Sequence, residues 1–384
     1  MLSLSRLALL VPLAALLADD LGAQRRKKSE EEITQTLEVL PDPPAVVSAE
    51  TYRLVFHVAP HSAKGLLSQQ VRDGIRALWR LGKGATIVKL RAFVAGTGDM
   101  RRVQAVVSEE FTERRLPLPA LSVIQVGALP VEGVQVVIES VGVAKKKVNP
   151  HGLAFLSGQA VSSEETALTV APLVAQSLAR LRTALASAGL GPADVLRVTC
   201  FCSSLDDLND VRALLARGFP GVTANVLRIQ RAYTSGLAEC EAVARLRAGP
   251  GAPVKFLNPE GLPQSPNYSQ LALVGATRVA LTGTQLAFRS QDSDVRLAFE
   301  RLAKVLEQKG ASMSGVAMSS IYPLSSFIAD KVRAIRFEFY DKTRPPASTM
   351  LLFEGLPSLD ASFAVDVVAV LPAAPTARTG SSGR

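Results

Sequence analysis

One passage recurs along this chain, and its recurrence limits the possible folds more than any single motif does. In "TVAPLVAQSLARLRTALASAGL" the residues Val174, Leu178, Leu181 and Leu185 make one apolar face at helical spacing, and Gly189 follows as a left-handed cap. The strand "VLRVTCFC" comes next, and Leu205-Asp206-Asp207 opens a second helix that ends before "FPG", where Pro220 and Gly221 force a turn. Two strand-like segments close the passage, the last being "GLAECEAVARL". The order returns with Val295, Phe299, Leu302 and Val305 on a helix capped by Gly310, then "VAMSSIYPL", "SSFIADKVRAIRFEFY", "STMLLFEGLP" and "ASFAVDVVAVL". A more worn copy begins with Val71, Ile75 and Leu78 on a helix stopped by Gly82. It continues through "TIVKLRAFV", a helix after Asp99-Met100, "LSVIQVGALP" and "VQVVIESVGV". Glycines 82, 189 and 310 lie 107 and 121 residues apart, the length of a small domain and not of a solenoid repeat.

Each copy reads as two helices among five or six strands, which predicts an α+β fold with both helices on one face of a mixed sheet. The other sheet face is also rich in Val, Leu and Ile, so it needs cover. Three copies in one chain supply that cover by packing sheet against sheet around a pseudo-threefold axis, as a monomer with internal symmetry. The expected boundaries are domains at 50–147, 148–250 and 255–372, with a flexible stretch at 24–49 and a disordered tail at 373–384. Residues 1–23 have the form of a signal peptide. Arg6 precedes an apolar run from Leu7 to Leu17, and Ala23 or Ala18 offers a cleavage site. The run is shorter than the ~20 residues of a membrane-spanning helix. Export to the periplasm or medium is therefore expected, with no stable membrane insertion after cleavage; an uncleaved N-terminal anchor is the alternative.

Several function classes lose support from composition. The formal charge is +9, but the dense basic runs, Arg25 to Lys28 and Lys145 to Lys147, fall in linkers. Aromatic residues make up only 5%, too few for a base-stacking platform, so no nucleic-acid partner is expected. Three cysteines without nearby histidines do not make a zinc site, and no metal or cofactor is expected. His57 and His61 lie in an extended "FHVAPH" and share no helical face, His151 opens the second copy near a cleft entrance, where an exposed polar position explains it as well as catalysis does, and "GTGDM" is a turn with no phosphate-binding context. Cys200 and Cys202, two apart on a strand, point to the same side. Core packing is the expectation for them, with a disulfide from Cys240 to one of the two as the alternative in an oxidising compartment.

The second and third copies resemble the RidA/YjgF family, whose members are mostly homotrimers of one chorismate-mutase-like domain. "AQSLARLRTALASAGLGPADVLRVTCFCSSLDDLNDV" is similar to the family's signature helix–glycine–strand passage, and "NPEGLPQSPNYSQL" to its opening. "LSGQA" and "LTGTQL" resemble its "SGQ" strand end, and "PASTMLLFEGLP" its "PAR" strand. The resemblance covers roughly residues 50 to 372 and is weakest in the first copy. It implies small-molecule clefts between adjacent domains and, in catalytic members, hydrolysis of enamines and imines. There the Arg of "PAR" clamps the substrate carboxylate, and a Glu of the last strand positions or activates water. The Arg position falls on Leu121, on Val222 or Ala224, and on Ser348, so all three copies lack it. The Glu position becomes Val137, Glu239 and Ala364, and the opening Tyr survives as Tyr268. Glu239 is thus the candidate catalytic residue. Ser157, Gln159, Tyr268, Thr284, Gln285 and Ser348 are candidate ligand contacts, and Arg228 is a candidate substitute cation. The expectation is a small-molecule-binding protein without the standard deaminase activity; an imine deaminase using Glu239 and Arg228 is the alternative.

Overall fold

Which side of a strand a residue takes decides this fold, because the long central strands carry apolar side chains on one face and a few charged ones among apolar neighbours on the other. The computed structural model describes residues 39–96, 98–164, 169–232 and 235–372. The leader-like residues 1–23, most of the 24–49 stretch and the tail 373–384 lie outside the described residues. First come β1 (Val46–Glu50), β2 (Leu54–Val58), α1 (Leu67–Leu81), β3 (Thr86–Ala95), α2 (Arg101–Glu113), β4 (Ala120–Val126) and β5 (Val136–Val143). Then follow β6 (Leu153–Ser163), α3 (Ala171–Ser187), β7 (Val195–Cys202), α4 (Leu208–Gly218), β8 (Thr223–Arg228) and β9 (Gly236–Arg245). The rest comprises β10 (Val254–Leu257), β11 (Leu271–Val274), β12 (Arg278–Thr282), β13 (Gln285–Phe288) and α5 (Asp292–Glu307). It ends with β14 (Val316–Pro323), α6 (Ser326–Ile335), β15 (Ala347–Met350) and β16 (Ala361–Val370).

These strands make three mixed sheets, ordered β2-β5-β3-β4, β10-β11-β6-β9-β7-β8 and β1-β12-β16-β14-β15, with β13 also on β16. In each sheet the strands on either side of the second helix, β3 and β4, β7 and β8, or β14 and β15, run parallel, as a helical crossover requires. The other pairs are antiparallel. The first sheet has four strands, fewer than the five or six expected.

Sheet membership does not follow the linear order. β1, which falls in the stretch expected to be flexible, pairs with β12 in the third sheet. β10 and β11, which the sequence groups with the third copy, extend the second sheet along β6. The chain passes between sheets at two short corners, at 51–53 and 275–277, and these corners hold each other. Thr51 N donates to Thr277 O at 2.9 Å, and the Tyr52 hydroxyl donates to Gly275 O at 2.9 Å.

One face of each sheet is covered by its two helices. Val71, Ile75 and Leu78 of α1 pack with Leu90, Ala92 and Val94 of β3. Val174, Leu178, Leu181 and Leu185 of α3 lie in a second such cluster, and Val295, Phe299, Leu302 and Val305 of α5 in a third. The cap glycines behave unequally. Gly189 and Gly310 have φ of +69° and +74°, whereas Gly82 stays helical at −68° and the reversal shifts to Lys83 and Gly84 at 47° and 85°. The opposite faces meet one another: Phe56 and Val141, Phe155 and Val243, and Leu281 and Ala317 belong to one apolar cluster drawn from all three sheets.

The cysteines correct the expectation of plain core packing. Cys200 and Cys240 face each other across β7 and β9 and form a disulfide, while Cys202 is buried and free. Burial pushes the Cys202 thiol up to about 12, so it is an unreactive core group.

Within the shared interior sit six charges. Glu139, Glu241 and Asp366 occupy matching places on the closing strands β5, β9 and β16, and Lys89, Arg91 and Arg197 face them. Arg91 donates to Glu139 through Nε at 2.9 Å and Nη2 at 2.7 Å, and to Glu241 at 2.6 Å. Arg197 lies 3.3 Å from Glu139, and Lys89 3.5 Å from Asp366. Thr199 and Asn225 also donate to Glu139, at 2.7 and 2.9 Å. Despite its burial, Glu139 is held down to about 2 by Arg91 and Arg197. Arg91→Met leaves two buried carboxylates short of a partner, for which the expected loss is about 3–5 kcal/mol in urea denaturation; a loss below about 1 kcal/mol would show that the network carries little. Thiol titration of the denatured, unreduced protein should find one free thiol per chain, and three would refute the disulfide.

Candidate functional site

The antiparallel pairing of β6 with β9 slips between Leu156 and Gln159, so that Ser157 and Gly158 bulge out of register. The bulge makes room for one side chain. A Cβ on Gly158 would lie 1.7 Å from Oε1 of Glu239, so only glycine lets the carboxyl occupy this place. Glu239, on β9, is 5% exposed, and among the described residues no hydrogen bond reaches its carboxyl. Burial, reinforced by Glu241, pushes it up to about 8. At neutral pH it is therefore an uncharged carboxylic acid that can donate a proton.

Glu239 lines a cavity of about 140 Å³ together with Gly158, Ala160, Asn267, Tyr268, Arg333, Arg336, Ser348 and Met350. The wall opposite the second sheet belongs to β15, to the end of α6 and to the loop before β11. Arg336 is 3% exposed, in a single 3-10 turn that extends α6. Its Nη2 donates to Asn267 O at 2.5 Å, its Nε has no partner, and among the described residues no carboxylate pairs with it. Burial lowers it to about 10, so it remains charged at pH 7. A buried guanidinium without a counter-ion costs several kcal/mol unless an anion joins it. The buried Ser348 hydroxyl also lacks a partner. Tyr268 is half-buried at the mouth, its hydroxyl raised by burial and then by Glu239.

Of the residues singled out in the sequence, Glu239, Tyr268 and Ser348 meet in this cavity. Ser157 and Gln159 stand behind its wall. Ser157 Oγ donates to Ser269 O at 2.6 Å and accepts from Ser348 N at 2.8 Å, tying β6 to β15. Gln159 donates to Ser157 O at 3.1 Å and to Gln270 Oε1 at 2.7 Å. Arg228 is elsewhere: its guanidinium donates to Gln230 O at 3.1 Å and to Arg231 O, closing its own loop, and it does not line the cavity. Thr284 and Gln285 lie at another junction, where Thr284 N donates to Leu121 O at 3.3 Å and Gln285 pairs with Val365. That junction is tight, since a Cβ on Gly283 would lie 2.8 Å from Leu121 O. Val137 and Ala364, which hold the acid's place in the other two sheets, are packed in one apolar cluster with Phe93, Phe201 and Phe353.

Sequence reasoning missed Arg336, Arg333 and Asn267. A signal for Arg336 is present: "VRALL" at 211–215 recurs as "VRAIR" at 332–336, putting a cation where α4 has the buried Leu215. A second groove, of about 250 Å³, is lined by His61, Arg212, Phe219, Val222 and Ala224, and among the described residues no acid lines it. Among the described residues no cluster of three or more metal-ligating side chains occurs, and no helix is long and apolar enough to cross a membrane.

The raised acid has a consequence for stability. The ordinary value is near 4.5 and the folded one about 8, so the native state binds this proton more tightly than the unfolded chain. Stability from this group is complete below the unfolded value and is lost as pH climbs through about 8. Glu239→Gln should therefore match the wild type near pH 4 and exceed it at pH 9, by roughly 3–5 kcal/mol. Urea denaturation at both pH values tests this, and an equal stability at pH 9 would contradict the buried neutral acid.

No family model matches the chain, and no curated protein matches it. Among solved structures it is similar to a Rid-family protein of unknown function from Yersinia pestis, at 17% identity and a TM-score of 0.29, over 31% of this chain and 100% of that one. It is also similar to a YjgF-family member from Neisseria meningitidis, at 12% identity and a TM-score of 0.24, over 32% and 97%. A YjgF/YER057c/UK114-family member from Mycobacterium tuberculosis gives 18% and 0.23, over 31% and 99%. Likenesses of this size carry nothing about ligand or chemistry. These three solved structures are members of the RidA/YjgF family, and each corresponds over nearly its whole length to about a third of this chain.

Proposed function

We propose that this chain is an exported, single-chain RidA/YjgF-type protein with internal threefold pseudo-symmetry, which binds a small carboxylate in the cleft between its second and third units. One observation carries the reading: Arg336 is buried with an unpartnered Nε in the same cavity as an uncharged, buried Glu239. A carboxylate there would neutralise the guanidinium and could accept the Glu239 proton, satisfying both groups at once. Arg336 reaches the cleft from the end of α6 and takes the part that family resemblance gives to the strand position of Ser348. The threefold reading is supported by the helix–strand–helix–strand–strand order that occurs three times, and by the acids at matching places on β5, β9 and β16. Export is supported by the leader-like N-terminus and by the Cys200–Cys240 disulfide, a bond of oxidising compartments.

Hydrolysis of an imine is the second reading. Water adds to the C=N carbon, the C–N bond breaks, and a keto acid and ammonia leave. It is favoured by the position of Glu239 near neutrality, where a group can both give and take a proton.

A thermal-shift panel of pyruvate, butyrate and glycine against the full chain tests binding. At least one monocarboxylate should raise Tm, by the equivalent of about 2.7 kcal/mol at a hundred times its Kd. Arg336→Gln should weaken that ligand at least thirtyfold, from the ~2–5 kcal/mol that a buried charge partner supplies. A flat response throughout the panel overturns the reading. Ammonia release from amino-acid-derived imines, lost in Glu239→Gln, would extend it to catalysis.

A further inference from the structure

The cavity has more positive charge than one carboxylate needs. Arg333 and Arg336 stand one helical turn apart at the end of α6, the spacing at which side chains on one face are neighbours, and both line the cleft. They differ in setting. Arg336 is enclosed, with its Nε turned to no protein acceptor. Arg333 is about half exposed at the mouth, and among the described residues its only ion pair is with Asp330, three residues earlier and 73% exposed. A surface pair of this kind contributes ~0–1 kcal/mol and is readily exchanged for a better-placed anion. Among the described residues no further acid lines the cavity to offset the second guanidinium: Glu239 is the one carboxyl in the wall, and Asp330 lies outside it. The volume, about 140 Å³, is well under the ~300–1,000 Å³ of pockets for drug-sized ligands, so the occupant is short.

We propose that the cleft selects short dicarboxylates, one acid group on Arg336 beside Glu239 and the other on Arg333 at the mouth. This inference rests on the carboxylate-binding reading and adds the ligand class to it. Monocarboxylates would leave Arg333 with Asp330, whereas a second carboxylate reaching the mouth would displace Asp330 and gain a bidentate guanidinium partner.

The test compares malonate, succinate and glutarate with butyrate and valerate by calorimetric titration at fixed ionic strength. In the wild-type chain the best dicarboxylate should bind at least about tenfold more tightly than the best monocarboxylate, the equivalent of ~1.4 kcal/mol. Arg333→Gln should bring that ratio close to one. Asp330→Asn should raise the ratio, since Arg333 then has no competing partner. Arg101→Gln, which removes the same charge from the exposed start of α2, should leave the ratio where it was. Equal affinities in the wild type, or a preference that survives Arg333→Gln, overturn the dicarboxylate assignment while carboxylate binding stands. If neither class binds, the broader reading fails and this one falls with it.

Discussion

Six charges buried where three sheets meet hold this molecule in one arrangement. Apolar contact alone is tolerant, because Val, Leu and Ile on a flat sheet can slide past one another at little cost. Paired charges are not tolerant. Arg91 on β3 bridges Glu139 of its own sheet and Glu241 of the second, and Lys89 turns to Asp366 of the third. A one-residue slip of any of these strands would turn its charges toward the helices, into apolar layers that hold no counter-charge. Charge balance crosses between sheets: the first brings Lys89, Arg91 and Glu139, the second Arg197 and Glu241, and the third Asp366, so the first sheet's extra cation is matched by the third sheet's acid. The network thus works less as a source of net stability than as a specification of which sheet goes where, since buried ion pairs seldom exceed their desolvation cost.

Period and punctuation made much of this legible in the sequence. Helical spacing picked out the core faces of α1, α3 and α5, and Gly189 and Gly310 take the left-handed conformation read from their place at helix ends. Glu239 with Tyr268 or Ser348 could be named for one cleft from the family resemblance, which assigns roles to those positions, and the structure brings all three to one cavity. What could not be read were partnerships between sheets. β1 and β11 look locally like the first arms of hairpins, yet each crosses a corner into a neighbouring sheet, and no local pattern encodes which edge a strand will cap. The disulfide was hidden for the same reason. Cys200 and Cys202 are alike along β7, and only the register with β9 sets Cys200 opposite Cys240.

Arg228 shows how a sound local argument fails. Even spacing along β8 turns it to the correct side, but the strand end runs into a loop whose carbonyls of Gln230 and Arg231 satisfy the guanidinium first. Arg336 succeeds from less obvious ground. It replaces the kind of leucine that anchors α4, so its long side chain starts from a core-facing position and has nowhere to go but the cavity between sheets. A charged residue breaking an apolar helical face was the readable sign.

The junctions between sheets are not equal, and the inequality has a physical origin. At Gly158 the bulge of β6 leaves a place for the Glu239 carboxyl, which faces a cavity lined by the second and third sheets. At the matching places Val137 and Ala364 leave no polar group to hydrate, so Phe93, Phe201 and Phe353 close over them. Three identical chains could not make that trade, since every interface would carry the same residue. Within one polypeptide, two junctions can serve packing while the remaining one bears the cost of a buried acid and an unpaired guanidinium. Costs of this kind collect at binding and catalytic sites, and that is the structural reason to test for a ligand between Glu239 and Arg336.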